Sequence, residues 1–365
     1  MGCILAINAG SSSVRFAAFK DTELLPEVMR GKIDRIGDEG AVDVISGIPR
    51  QLVVTPPTSI SHRIVHGMQH SRPARISPEL VAELQRNIPN DPEHMPRQLE
   101  FIEACSHLFP GVPQLACFDT AFHAHMPRVA AQLPLPRRYE GQGLRRYGFH
   151  GISYEYLLEE LAHVAGPEAA QGRVILAHLG NGASLAAVKY GTGIDTTMGF
   201  TPCGGLVMGT RTGDLDPGVA AWLLSSGLTP EQFNHLVNHE SGMVGVSETS
   251  ADVRDLLKVA PTDPRAAEAL NLFCYQVRKH IGALAAALSG LDTLVFAGGI
   301  GENAPALRHQ ICNNLQFLGL ELNDRRNAAN KPLISSAKSR VAVRVIPTNE
   351  ELMLARHARR FLKGS

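Results

Sequence analysis

The sequence predicts a duplicated α/β protein, and three observations carry that reading. Strand-like runs alternate with helical ones along the chain. A hairpin at the N-terminus returns in the second half: Ile-Leu-Ala recurs at Ile4 and Ile175, both tips are rich in small residues, and Lys20 or Lys189 closes the second strand. The length of 365 residues suits two domains of about 150 residues better than one or three.

Taken in order, residues 3–7 and 14–19 read as strands joined by Asn8-Ala-Gly-Ser-Ser-Ser13. Residues 77–87 have helical spacing after a Ser-Pro start, Pro89, Pro92 and Pro96 break the chain, and residues 97–108 read as helix again. Residues 112–118 form a short buried strand that ends at Asp119-Thr-Ala-Phe-His123. The second hairpin has strands at 174–177 and 185–188 around His178-Leu-Gly-Asn-Gly-Ala-Ser184. Residues 219–226 and 264–289 read as helices, the latter with an apolar face along Leu270, Phe273, Val277, Ile281 and Leu284. Residues 293–297 form a strand, Gly298-Gly-Ile-Gly301 a tight turn, and a helix starts at Glu302. A strand at 341–346, the turn Pro347-Thr-Asn-Glu350 and a helix at 351–362 end the chain. In such an architecture the sites lie on strand-end loops.

Composition removes several classes. With 44% hydrophobic residues the chain is not disordered, and 35 basic residues balance 35 acidic ones. No basic excess exists for a large nucleic-acid face. Six scattered cysteines without a CxxC pair read as small buried residues of a reducing compartment. Neither a secretory signal nor a membrane-length apolar run is visible, because the longest run, 281–291, stops at Asp292. A cytoplasmic protein is expected.

Three loops could cradle phosphate: Asn8 to Ser13, His178 to Gly182, and Gly298 to Gly301. Plain hairpin turns use the same residues singly; three in one chain point to a polyphosphate nucleotide. GxxxxGK[ST], the protein-kinase signature and GxSxG are absent. His62-Arg-Ile-Val-His66 lacks the glutamate of HExxH, and His123-Ala-His125 reads as a hydrogen-bonding pair more readily than as metal ligands. Arg63, His150 and Arg211 each lie in a short run that contains glycine: Ser61-His-Arg-Ile-Val-His-Gly67, Arg145-Arg-Tyr-Gly-Phe-His-Gly151 and Met208-Gly-Thr-Arg-Thr-Gly-Asp214. That pattern leaves room for a ligand to reach the backbone, although salt bridges and loop caps use arginine too.

These segments, with FDTAFH, DTTMGFTP, SADVRD, FAGGIGEN and PTNEEL, run in order from the first strand to the last turn. On them the chain resembles the acetate kinase family of acetate and propionate kinases, within the actin-like sugar kinase and heat-shock ATPase superfamily. The resemblance implies duplicated ribonuclease-H-like (actin-like) domains with an interdomain nucleotide cleft. The first domain would span residues 1–149, joined by the C-terminal helix at about 351–365, and the second 150–350, with the nucleotide loops and a homodimer interface. It implies ATP as co-substrate, magnesium (manganese able to substitute), and a short-chain carboxylate as acceptor.

Carried over by position, Asn8, Ser11, Ser13 and Arg15 would face the phosphates. Arg63 and Arg211 would hold the carboxylate and the transferring phosphoryl group, His150 would donate to its oxygens, and Asp119 would orient Arg63 or the substrate. Glu350 with Asn8 would anchor the metal. His178, Leu179, Gly180, Asn181 and Gly182, with Asp252, Val253 and Arg254, and with Gly299, Ile300, Gly301, Glu302 and Asn303, would surround the nucleotide. Val65, Phe149 and Pro202 would wall the acyl pocket.

The chain departs from the family pattern in several places. It is short between Lys20 and Arg63, and Arg15 replaces a lysine. Met68 stands where a second glycine is usual, Tyr154 replaces a histidine, and Gly204 a glutamate. Glu93 occupies the place of a leucine that helps line the acyl pocket, so it either turns to solvent or meets a polar group on the acceptor. That second case keeps open a kinase of the same fold acting on a hydroxylated acid. An ATP-binding switch without an acceptor is the other alternative, against which Arg63, Arg211 and His150 argue.

Overall fold

The structure, a computed structural model, describes residues 2–10, 13–34 and 57–363. Ser11 and much of the short stretch between Lys20 and Arg63 lie outside the described residues. The chain divides into two compact units: Met1–Ala124, Phe149–Tyr156 and Asn349–Ser365 make one, His125–Gly148 and Leu157–Thr348 the other.

The first unit holds a six-stranded sheet of β1 (Cys3–Ala9), β2 (Ser13–Lys20), β3 (Glu27–Asp34), β4 (Pro57–Ile64), β5 (Ala74–Arg75) and β6 (Gln114–Phe118), in the order β3-β2-β1-β4-β6-β5. β1 is buried along its whole length, so it reads as a continuous apolar run instead of an alternation. Its two faces nevertheless separate by the two-residue strand period. Cys3, Leu5 and Ile7 pack with Phe101, Ala104 and Cys105 of helix α2 (Met95–Leu108), which follows α1 (Pro78–Arg86). Ile4 and Ala6 pack with Met353, Leu354, Ala355 and Ala358 of the C-terminal helix, Glu350–Lys363. Ser77 caps α1 by accepting from Leu80 N, with Pro78 at its first turn.

The second unit holds β7 (Val174–Leu179), β8 (Ala183–Lys189), β9 (Thr192–Thr196), β10 (Thr293–Ala297) and β11 (Ala342–Val345), ordered β11-β10-β7-β8-β9. The long helix Pro264–Leu288 buries Leu270, Phe273, Val277, Ile281 and Leu284, and packs against β8. In both sheets a central strand pairs antiparallel with the second strand of its hairpin, which pairs antiparallel with a third. On its other side the central strand starts two parallel steps, β1-β4-β6 or β7-β10-β11. The duplication read from the two hairpins is thus a repeated sheet topology, with β5 added to the first copy.

Three local differences have simple causes. Gly298 to Gly301 is not a tight turn ahead of a helix. The chain turns at Gly298, where φ is 75°, and Gly298–Asn303 is already helical, ending before Pro305. β3 and β9 carry no clear strand signal because they are sheet edges interrupted by Gly31 and Gly193. Between His62 and His66 the chain is the end of a strand, so their spacing does not put them on a helix face. All six cysteines are free thiols; burial pushes Cys3 up to about 11 and Cys105 and Cys274 up to about 12. Among the described residues no helix is long and apolar enough to cross a membrane.

Candidate active site

In the first unit β1, β4 and β6 are parallel neighbours, so their C-terminal ends open on the same edge of the sheet. Asn8 lies near the end of β1, Arg63 near the end of β4, and Asp119 directly after β6. Arg63 donates through Nε and Nη2 to Asp119 Oδ2 at 2.9 and 2.6 Å, and through Nη1 to Asn8 Oδ1 at 3.0 Å. Asn8 Nδ2 donates to Glu350 Oε2 at 2.6 Å and to Glu351 Oε1 at 3.2 Å. Arg30 Nη1 completes the chain on Glu351 Oε2 at 2.6 Å. Three of the five guanidinium N–H groups of Arg63 are thereby engaged, which leaves two.

Burial works against both charges of the Arg63–Asp119 pair. For Arg63 the surrounding anions Asp119, Glu350 and Glu351 outweigh it and hold the guanidinium above its ordinary value. For Asp119 burial dominates and pushes the carboxyl up, with Arg63 opposing and Glu350 adding to the rise. Two donors from a group that stays protonated keep the pair ionised at neutral pH. Asp119 Oδ1 is buried with no hydrogen-bond partner.

Among the remaining first-unit candidates, the turn that carries His150 packs directly on Asp119. Gly151 N donates to Asp119 O at 3.0 Å, and a Cβ at Gly151 would lie 2.1 Å from that carbonyl oxygen. The turn puts His150 in the left-handed region, with φ 59°, and buries it. Phe149 is buried edge-on to the His66 ring, and its carbonyl accepts from His123 Nε2 at 3.0 Å. Val65 N donates to Gln98 Oε1 at 3.1 Å, and Gln98 Nε2 donates to Ala9 O at 3.3 Å. Glu93 is half-buried and Arg15 exposed. Met68 has φ 48°, the backbone reason that glycine suits its position.

In the second unit β7 and β10 are parallel neighbours, and the loops after both carry the nucleotide candidates. Gly180 N donates to Gly182 O at 3.0 Å, and Asn181 O accepts from Gly209 N at 2.9 Å. The Gly209 segment leads to Arg211, whose Nη1 donates to the carbonyl of buried Pro202 at 3.2 Å. Glu302 Oε1 accepts from Gly298 N at 2.8 Å and Thr348 N at 3.1 Å, while Asn303 Nδ2 donates to Gly299 O at 3.0 Å. Asp252 caps the helix Val253–Val259 and also pairs with the exposed Arg254 guanidinium at 2.5 Å.

The network thus joins Asn8, Arg63, Asp119 and Glu350 in one unit and gathers the His178, Gly209 and Arg211 segments in the other. Sequence reasoning missed Arg30, Gln98, Glu351 and Arg308. Arg308 is fully buried and donates through Nη1 to Gly301 O at 2.8 Å and Glu302 O at 2.9 Å. The doublet Glu350-Glu351 carried a signal, since two acids opening one helix compete for the same partners; the other three carried none.

The statistical profile of the Acetokinase family matches residues 52–356. Acetate kinase from Nitrobacter hamburgensis is 42% identical, over 98% of this chain and 95% of that protein. Propionate kinase from Citrobacter rodentium is also 42% identical, over 98% and 96%. The crystal structure of a propionate kinase from Francisella tularensis superposes with a TM-score of 0.91 at 34% identity, covering 98% of this chain and 99% of that one.

Proposed function

Because the chain belongs to the acetokinase family, we propose that it transfers the γ-phosphoryl group of ATP reversibly to a short-chain carboxylate, acetate or propionate, giving an acyl phosphate and ADP. The observation that carries this reading is the buried network around Arg63: an arginine locked by Asp119 and Asn8 with two N–H groups to spare. Such a group is a preorganised anion clamp.

The acceptor carboxylate is ionised at neutral pH and needs no strong base. One of its oxygens forms the new bond to the γ-phosphorus, the bond from phosphorus to the bridging oxygen breaks, and ADP leaves with that electron pair. No proton need move. The barrier is the approach of one anion to another. Arg63 holds the carboxylate, Arg211 the phosphoryl group, and His150 donates to the phosphoryl oxygens. Asp119 orients Arg63. Val65, Phe149 and Pro202 enclose the short acyl chain. Asn8 and Ser13, with Ser11 and Arg15, serve the phosphates, and the loops at His178–Gly182, Asp252–Arg254 and Gly299–Asn303 serve the nucleotide.

Magnesium, or manganese in its place, fits the donors present. Glu350, which accepts from Asn8, and Asp119, whose Oδ1 has no hydrogen-bond partner, are buried hard-oxygen donors, and magnesium asks for one or two carboxylates while keeping most of its waters. When bound, the ion neutralises phosphate charge. The expected assembly is a homodimer, supported by the helix Pro217–Ser225. It buries no residue and exposes Val219, Trp222 and Leu224. Six free thiols fit a cytoplasmic setting.

Acyl-hydroxamate formation with magnesium-ATP and hydroxylamine, run from formate to butyrate and with hydroxylated acids, tests the reading. An optimum at acetate or propionate supports it; activity only with hydroxylated acids moves the substrate and puts Glu93 in the pocket. No product with any acid overturns it. Asp119→Asn should retain turnover at saturating acceptor with a raised KM, and complete loss at saturation would make Asp119 more than an orienter.

A further inference from the structure

Asp91 and His94 have no part in the reaction as derived, yet both are buried at the N-terminal end of α2. Asp91 Oδ1 lies 2.8 Å from His94 Nδ1. An ionised carboxylate only accepts, so Nδ1 carries the proton. The other oxygen, Oδ2, is buried with no partner. A carboxylate oxygen buried without a donor is unfavourable, so packing does not explain an aspartate here.

The surroundings tie the pair to the acceptor site. Met95, next to His94, packs with Ile64 and Phe118, the residues that precede Val65 and Asp119. One turn along α2, Gln98 holds the backbone N–H of Val65. His94 therefore stands at the end of α2 that packs against the strand ends leading to Val65 and Asp119. A ring whose protonated nitrogen is fixed by a carboxylate keeps one tautomer and one orientation.

We propose that Asp91 is a positioning residue of the acceptor site, fixing the tautomer and orientation of His94 at the helix end packed against the strands that lead to Val65 and Asp119. The proposal rests on the carboxylate-kinase reading above, and its test separates the two. In steady-state assays Asp91→Ala should raise KM for the acceptor about tenfold, with kcat and the KM for ATP nearly unchanged. Asp91→Asn, whose amide oxygen still accepts from Nδ1, should recover most of that loss. In a His94→Ala background Asp91→Ala should cost nothing further, because the effect passes through the ring. With 15N-labelled histidine, the Nδ1-protonated signature of His94 should be present in the wild type and in Asp91→Asn, and lost in Asp91→Ala.

An unchanged acceptor KM in Asp91→Ala overturns the proposal. So do losses of equal size with and without His94, or a His94 tautomer indifferent to Asp91. A wild type that phosphorylates no carboxylate refutes the reaction, and the nitrogen signature still judges the pair.

Discussion

On β4, His62 and Arg63 point to opposite faces of one sheet and titrate in opposite directions. Arg63 is held charged by its anions. His62, enclosed with Gln114 Oε1 at 2.6 Å from its Nε2, is driven by burial from 6.5 down to about 4, with Gln114 opposing. Between those two values the unfolded chain binds a proton that the folded chain refuses, so stability rises with pH there. The contribution of His62 is complete above 6.5 and is lost as pH falls through about 4. It amounts to about 3 kcal/mol. Urea unfolding at pH 7.5 and 4.5 should show His62→Gln losing less stability on acidification than the wild type. Equal losses would remove His62 as the source. At this scale the sequence exposed those polar residues that interrupt apolar runs or glycine-rich turns, such as Arg63, Asp119 and His150. Gln98, Arg30 and Arg308 stayed hidden, since each is an ordinary helix or strand residue until tertiary contacts bury it or pair it.

Turns and helix ends carry most of the positioning at the level of elements. The loop from Phe149 to Gly151 bends so tightly against Asp119 that only hydrogen fits on the Gly151 Cα; a methyl group would meet the Asp119 carbonyl at 2.1 Å and Phe122 Cβ at 2.8 Å. Neither neighbour is a flexible side-chain end. Gly151→Ala should cost about 2–3 kcal/mol and move His150, so its kcat should fall further than its thermal stability explains. A variant as active and as stable as the wild type would show that the turn can relax. The hairpins were legible because small-residue tips separate buried apolar strands, as at Asn8 to Ser13. The helix at Gly298–Asn303 was not, because three glycines argue against helix by propensity, and only the left-handed Gly298 and the Glu302 cap on its N–H make it one.

For the whole molecule, the repeat of strand order in two sheets shows that a chain with two similar hairpins spent its sequence similarity on the strand pair and the tip. The hairpin resemblance alone could not place the third strands or the crossover helices. The bare helix Pro217–Ser225 sets the assembly prediction. Trp222→Glu should shift the protein from a dimer towards the 39.4 kDa chain mass in analytical ultracentrifugation. A wild type that sediments at the chain mass removes the need for a partner on that helix.

Arg308 has one more consequence. Its guanidinium is fully buried and meets only neutral oxygens, from Gly301, Glu302, Asn327 and Asn330. Burial draws its pKa down to about 10. Opening either the Gly298–Asn303 helix or the Asp324–Ala328 helix takes from that cation part of the dipoles that hold it, so the two segments have little freedom to open separately. Their amides should exchange with deuterium as one cooperative group, which makes the frame beneath the loop after β10 a single switch between closed and open, with no graded hinge.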